Sequence, residues 1–536
     1  MKTRYTFTFL VSILSFQLAI AQSTISSIKN VKVKWGNEEK DKMFHRSALD
    51  QIIGQDEGGY YILKDKYSSV MGFRFTDPTL TYFDKNLNLV KSADVDPQNG
   101  QEKTDLWSFI ELGDKLYMLS TYDNYKADKI SLYCHDINKS TLEVSADPKK
   151  IAEVKYKGKN NERDFSYKLS PDSSTILVSY NLPYDKKDDK EGLGFIVYDS
   201  DFKELWKKEV KLPYEDKLFS VEDYKVDNDG NVYVLGLLYQ EKGKMRRSGK
   251  PNYEYRLLTY RQEGEVANYV FNLNDKFITD MGIAIAEDGN VTATGFYSEK
   301  GNYSIKGIFH TTVNNEDQVI ESRNVQEFDK KFLENFMSEK KAEKGVELSN
   351  YKFDHILSNA DGSTTLTAEQ YYVTISTYYD SKGYPHTHYH YHYNDVMVIN
   401  LTSEGKINWA SKVPKTQVST DDGGYYLSYS LIPTNNKLYF VFNDYTKLME
   451  DEMKGNKNAI HFGLGASVIA VAEVDEHGKV AKRVLIENKD TDVKIRPKVS
   501  KNVGENEMLV ISLKRKKSRL GKFIFSAGKT SGASVN

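Results

Sequence analysis

Apolar and polar positions alternate along this chain in short runs, and a compact polar turn precedes each run. The turn-headed runs are EGGYYIL at 57–63, GDKLYMLS at 113–120, DSSTILVSY at 172–180, DGNVYVLGLLY at 229–239, DGNVTATGFY at 288–297, DGSTTLTAE at 361–369, NNKLYFVF at 435–442 and GENEMLVISL at 504–513. β-Branched and aromatic residues dominate them, as half-buried strands require. Asp-Gly between two apolar runs marks a tight hairpin, because glycine supplies the positive φ of the turn. A second turn falls midway between most of these heads, in FDKNLNLV at 83–90, YDSDFKELW at 198–206, YRQEGEVANYV at 260–270, TSEGKINWA at 402–410 and DEHGKVAKRVL at 475–485. Each repeat therefore reads as four strands, A to D, with short A–B and C–D turns and a variable B–C loop. Trp206 and Trp409 fall in the same D-strand register of two repeats.

A four-stranded unit recurring this evenly predicts an all-β fold, a single β-propeller of four-stranded blades. The eight turn heads favour eight blades, with seven as the alternative. A two-sheet sandwich gives no reason for so regular a repeat. The last repeat supplies two strands, near Met508–Leu513 and Leu520–Phe525. VKVKWGNEE at 31–39 places Trp35 in the D register ahead of an inner strand at Ala48–Ile53, so the N-terminal strand is expected to complete the last blade. This pattern resembles the exported bacterial β-propellers of the WD40-like and kelch-like kind. The Gly-His…Trp-Asp signature and a regular kelch double glycine are both missing, so the resemblance implies a fold and not a function.

In this layout the A–B and C–D turns share one face of the ring, and the B–C loops share the other. The insertions fall on the B–C face: YDKKDDKEG at 184–192, QEKGKMRRSGKPNYE at 240–254, the segment 371–393, and Tyr445 to Gly463. Long loops on a rigid scaffold are where binding residues concentrate. One helix is predicted at Phe328–Glu343, with Phe328, Phe332, Leu333, Phe336 and Met337 on one stripe that suits a cover over blade edges.

The first residues change the picture of where the protein works. Lys2 and Arg4, an apolar run from Phe7 to Ile20 and Ala19-Ile20-Ala21 form a secretory leader, expected to span 1–21 and to leave one domain over 22–536. The expected location is periplasmic or outer-membrane-associated, with full secretion as the alternative. A single cysteine, Cys134, rules out an intramolecular disulfide. With 74 basic and 76 acidic side chains, the balance argues against a nucleic-acid partner. No segment of the mature chain has the length of a membrane helix.

The most unusual chemistry lies in YPHTHYHYHYND, from Tyr384. On a strand alternate residues share a face, so His386, His388, His390 and His392 point one way and Tyr389, Tyr391 and Tyr393 the other. With Tyr378, Tyr379 and Tyr384 these tyrosines form a candidate partner-binding surface, since tyrosine gives large rigid contact area. The histidines are a weaker, alternative metal site: His386 and His392 lie about 20 Å apart at strand rise and cannot share an ion. Catalytic motifs are missing: GxSxG, HExxH, a phosphate loop and a dinucleotide fingerprint do not occur. Cys134-His135 reads as a buried thiol beside an unrelated histidine. The basic run Lys514–Arg519 reads as a solvated hairpin. These readings favour a non-catalytic scaffold without a cofactor, binding a protein of the cell envelope such as an outer-membrane or secretion complex. An enzyme or glycan binder working at the channel mouth, and a metal-handling protein, are the alternatives; carboxylates converging at that mouth would favour the former.

Overall fold

The computed structural model describes residues 31–525 apart from short internal stretches, the longest of them 446–466. The leader expected at 1–21 and most of the loops expected at 184–192 and 445–463 lie outside the described residues.

Local chemistry sets the turns. Asp84, Asp199, Asp227 and Asp475 each head a turn in which one carboxylate oxygen accepts the amides two and four residues on. At Asp227 the donors are Asp229 at 3.1 Å and Asn231 at 2.7 Å, and Gly230 between them takes φ +81°. A side chain that satisfies two turn amides fixes the reversal locally, before any long-range contact forms.

Between such turns each repeat forms one antiparallel sheet in the order A-B-C-D, and the described residues contain eight sheets of four or more strands. Their A strands are His45–Gln55, Asp105–Leu112, Phe165–Leu169, Phe219–Val226, Phe277–Ile285, Tyr351–Ser358, Ser430–Thr434 and Lys501–Gly504, taken here as blades 1 to 8. Successive residues of a B strand serve opposite neighbours. In blade 3, Ile176 and Val178 pack toward Ile110 and Leu132 of blade 2, while Leu177 packs toward Val232 and Val234 of blade 4. Burial on both faces explains why the B strands read as continuous apolar runs.

An apolar core lies at every junction between consecutive sheets, including Leu49, Ile52 and Ile62 of blade 1 against Leu509, Ile511 and Leu520 of blade 8. The series thus closes into a ring. Hydrogen bonds link neighbouring A strands and place them nearest the axis: Gln55 N–H to Glu111 at 2.6 Å, Lys168 to Asp223 at 2.8 Å, Phe353 N–H to Asp280 at 2.9 Å, and Asn502 to the Leu431 carbonyl at 3.1 Å. The fold is a β-propeller.

The N-terminal strand does complete the last blade: Val31–Trp35 pairs antiparallel with Gly521–Phe525. One expectation needs correcting, since the last repeat supplies an inner strand as well as the two expected, in two pieces, Lys494–Ile495 and Lys501–Gly504, both paired with Glu507–Lys514. The longer piece, Lys501–Gly504, has one buried residue, Val503, in four, too few to show an alternation. The helix also differs: it is two short helices, α1 (Lys330–Glu334) and α2 (Glu339–Glu343). Asp329 caps α1 through the Phe332 amide at 2.7 Å, and Ser338 stands at the start of α2. Asn335 and Ser338 favour helix ends over interiors, which divides the stripe. The cover role holds, with Phe328, Phe332 and Leu333 buried in the core between blades 5 and 6.

Candidate functional site

In blade 6 the B and C strands run on past the sheet. Strand A pairs with B only as far as Gln370, and strand D pairs with C only from Val396 onward, whereas B and C stay paired out to Tyr379 and Pro385. The extension from Tyr371 to Tyr379 measures about 26 Å at strand rise. Its tip repeats the turn device of the ring: Asp380 accepts the amides of Lys382 and Tyr384, both at 2.9 Å, and Gly383 takes φ +80°.

A third strand, Gln417–Thr420, pairs with His390–Tyr393 and turns the hairpin into a ribbon. The four histidines do share one face, and each is engaged. His386 Nε2 lies 3.2 Å from Asp380, and His388 Nδ1 lies 2.6 Å from Asp421. His390 meets Ser376 at 2.7 Å and Thr420 at 3.0 Å, and His392 meets Thr374 at 2.9 Å. Tyr378 stacks on both His386 and His388, and Tyr372 stacks on His392. Asp421 also accepts the Tyr389 amide at 2.8 Å, and these bonds hold its carboxyl below the usual carboxylate range. Burial moves His392 below the ordinary histidine value. Among the described residues no three His, Cys, Asp or Glu groups come together at metal-holding spacing. The histidine row works as a lock that stiffens the ribbon.

The six candidate tyrosines therefore divide. Tyr379 and Tyr384 stand exposed at the tip, and Tyr378 is exposed on the histidine face. Tyr389 and Tyr391 lie on the opposite face beside Ile375 and Val373, all four at least partly open to solvent. Tyr393 is buried at the root, where Lys498 donates to its hydroxyl at 2.6 Å. The Asp421 clamp and its strand went unread in the sequence. The signal was present in QVSTDDGG, a β-branched run followed by a turn.

Beneath the root lies a buried polar network. Lys415 and Glu369 form an ion pair with side chains 0% and 4% exposed. Lys415 also donates to the Tyr393 carbonyl and to Gln417, both at 3.0 Å, and Ser428 donates to Glu369 at 2.7 Å. Tyr429 donates to Asp354 at 2.8 Å.

Asp354 belongs to a recurrent feature of the inner strands. The A–B registers skip one residue at Asp50, Glu222 and Asp354, where β-bulges re-aim the strand at the channel. Asp354 is open to solvent yet surrounded by protein, as a wall residue of a narrow channel is. That partial desolvation, with Glu369 nearby, pushes its carboxyl up to about 7. Asp280 is raised too, mainly by burial, although it accepts the Phe353 and Met281 amides. Two further acids of the inner strands are paired, Asp50 with Arg496 at 2.9 Å and Asp223 with Lys168 at 2.8 Å. These acids come from several blades, and some lie close enough to act on one another: Glu369 and Asp280 both raise Asp354, and Glu222 raises Asp280. A folded-state value above the unfolded one means the native chain holds the extra proton, so stability must fall as pH rises from about 4 to about 7. Asp354→Asn is expected to flatten that part of the profile, as melting temperature against pH would show.

A cavity of about 640 Å³ opens on the B–C face between blades 3 and 4, lined by Ser166, Tyr180, Glu222 and the Lys168–Asp223 pair. The Cys134 thiol is buried and pushed well up by desolvation. His135 is fully buried between Ser120 at 2.7 Å and the Ser145 carbonyl at 2.8 Å, so the two are core residues. In the basic run, Lys517 pairs with Glu38 at 2.6 Å and Arg519 lies over the Trp35 ring.

No family model and no curated protein matches this chain. Solved structures do. The WD40 domain of SCAP from fission yeast matches at 8% identity and TM-score 0.38, over 92% of this chain and 98% of that one. The β-propeller domain of the Trilobed protease from Pyrococcus furiosus matches at 12% identity and TM-score 0.31, over 70% and 94%. Cobalt-substituted Synechocystis ACO matches at 9% identity and TM-score 0.33, over 86% and 94%. Among the described residues no helix is long and apolar enough to cross a membrane.

Proposed function

We propose that this chain is a non-catalytic propeller scaffold of the bacterial cell envelope, periplasmic or outer-membrane-associated, that binds a protein partner through its B–C face. An outer-membrane or secretion complex suits that address. The observation that carries the reading is the ribbon of blade 6: a pre-ordered, histidine-locked element that holds Val373, Ile375 and Tyr389 exposed, with Tyr391 half-buried beside them, on one face. A rigid aromatic surface loses little entropy on docking, which is what makes tyrosine an effective anchor.

Co-purification from native membranes in mild detergent tests it. Replacing Tyr389 and Tyr391 by Ser is expected to weaken partner capture by about 2 kcal/mol if either is an anchor, with the melting temperature unchanged. Tyr393→Ser is expected to act the other way, lowering stability because that ring is buried at the root. Undiminished capture by the Tyr389/Tyr391 variant would sink the docking role. A second reading, a small polar ligand, rests on the cavity between blades 3 and 4, whose size suits one.

A further inference from the structure

The ribbon has two edges, and only one is covered. Gln417–Thr420 lies along the C strand, but past Tyr371 the B strand has no strand paired on its outer side among the described residues. Tyr371 N–H points outward, to the Asn350 carbonyl at 2.8 Å, while Asp380 N–H points inward, to Tyr384 at 3.0 Å. By the period of a strand, the backbone N–H and C=O of Val373, Ile375, Thr377 and Tyr379 also face outward, toward solvent.

Native sheets defend such an edge with a charge, a proline, a bulge or a covering segment. The nine residues Tyr371–Tyr379, YYVTISTYY, contain neither charge nor proline, and their pairing to the C strand runs without a bulge. The stretch is also nearly palindromic about Ile375. Tyr371 mirrors Tyr379, Tyr372 mirrors Tyr378, Val373 mirrors Thr377 and Thr374 mirrors Ser376. A two-fold axis requires that a residue contacting its mirror position be contacted by it in return. Antiparallel pairing about Ile375 meets that requirement with like against like, outward residue against outward residue, and no like charges opposed.

We propose that a second copy of this chain occupies this edge, the two ribbons joining through Val373, Ile375, Thr377 and Tyr379 into one continuous sheet about a two-fold axis at Ile375. The joined sheet would hold the Tyr389 and Tyr391 surfaces of both copies on one side. This contact uses backbone groups and does not rest on the docking role of those tyrosines. An edge this short buries less than a standard interface, so the dimer is expected to dissociate in roughly the micromolar range.

Sedimentation across that range tests it on the mature chain. Wild type is expected to show a concentration-dependent monomer–dimer equilibrium. Ile375→Pro removes an N–H that the B–C ladder does not use and should leave a monomer with an unchanged melting temperature. Val373→Lys, which adds an edge charge, should do the same. For the register, Cα atoms of a hydrogen-bonded antiparallel pair lie about 5.5 Å apart, within disulfide range. Under mild oxidation Ile375→Cys should therefore form a covalent dimer, while Ser376→Cys, which faces Thr374 of the second copy, should not. A wild type that stays monomeric throughout, including one whose edge takes up extended segments of other proteins, overturns the proposal. So does a dimer that survives both Ile375→Pro and Val373→Lys.

Discussion

Deleting the chain up to Trp35 is expected to lower stability by about 5 kcal/mol or more and to make the protein prone to associate through blade 8. The strand it removes is the D strand of the last blade, and three kinds of contact go with it. Five residues of ladder with Gly521–Phe525 are lost. Val31, Val33 and Trp35 leave the core shared by blades 7 and 8. Trp35 also packs edge-on to Phe523 at 5.8 Å and lies 4.2 Å beneath the Arg519 guanidinium. A ring differs from an open stack in that its two ends support each other, so the loss at blade 8 also weakens its junction with blade 1. Gly521 provides a milder probe. A Cβ there would stand 2.4 Å from the Trp35 ring, so Gly521→Val should displace the tryptophan without shortening the chain. Urea denaturation of both variants, with light scattering on the deletion, measures the effects. A peptide covering 31–40, added back, should restore part of the lost stability. An unchanged urea midpoint in the deletion would show that the strand is decoration.

What was legible in the sequence was whatever a few neighbouring residues decide. The Asp-headed turns and two-sided apolar runs are written locally, and they were enough to set the blades in order and to send Trp35 to blade 8. The A strand of blade 8 escaped because KNVG carries one apolar residue. The divided helix escaped because a hydrophobic stripe says nothing about the caps inside it. The ribbon was visible as a hairpin with its histidines on one side, but its stiffness was not. That depends on Asp421 and Thr420, about thirty residues away in sequence and joined only by the fold. The channel acids were least legible. Asp50, Glu222 and Asp354 look like any solvated acid until a bulge turns the inner strand toward the axis.

The other large effect is expected at Lys415, where the ribbon meets the ring. Lys415→Met should cost about 3–5 kcal/mol, the usual consequence of leaving one buried charge without its partner. Glu369 would keep its Ser428 hydrogen bond but lose the ammonium that neutralises it, in a site with almost no solvent contact. Pairing Lys415→Met with Glu369→Leu should recover much of the loss, because a buried ion pair is often replaceable by apolar groups of similar volume. A double-mutant cycle in urea separates the two terms. The two variants should still differ from wild type in the ribbon. Lys415 is the donor to the Tyr393 carbonyl, and Tyr393 is where the C strand leaves the blade. Without that tether, amide exchange along Tyr371–Tyr393 should quicken in both variants, even where global stability is restored. Recovery of stability without recovery of protection would identify the pair as the fixture that aims the ribbon. Restored protection in the apolar double variant would leave that task to the histidine lock and the Asp421 clamp alone.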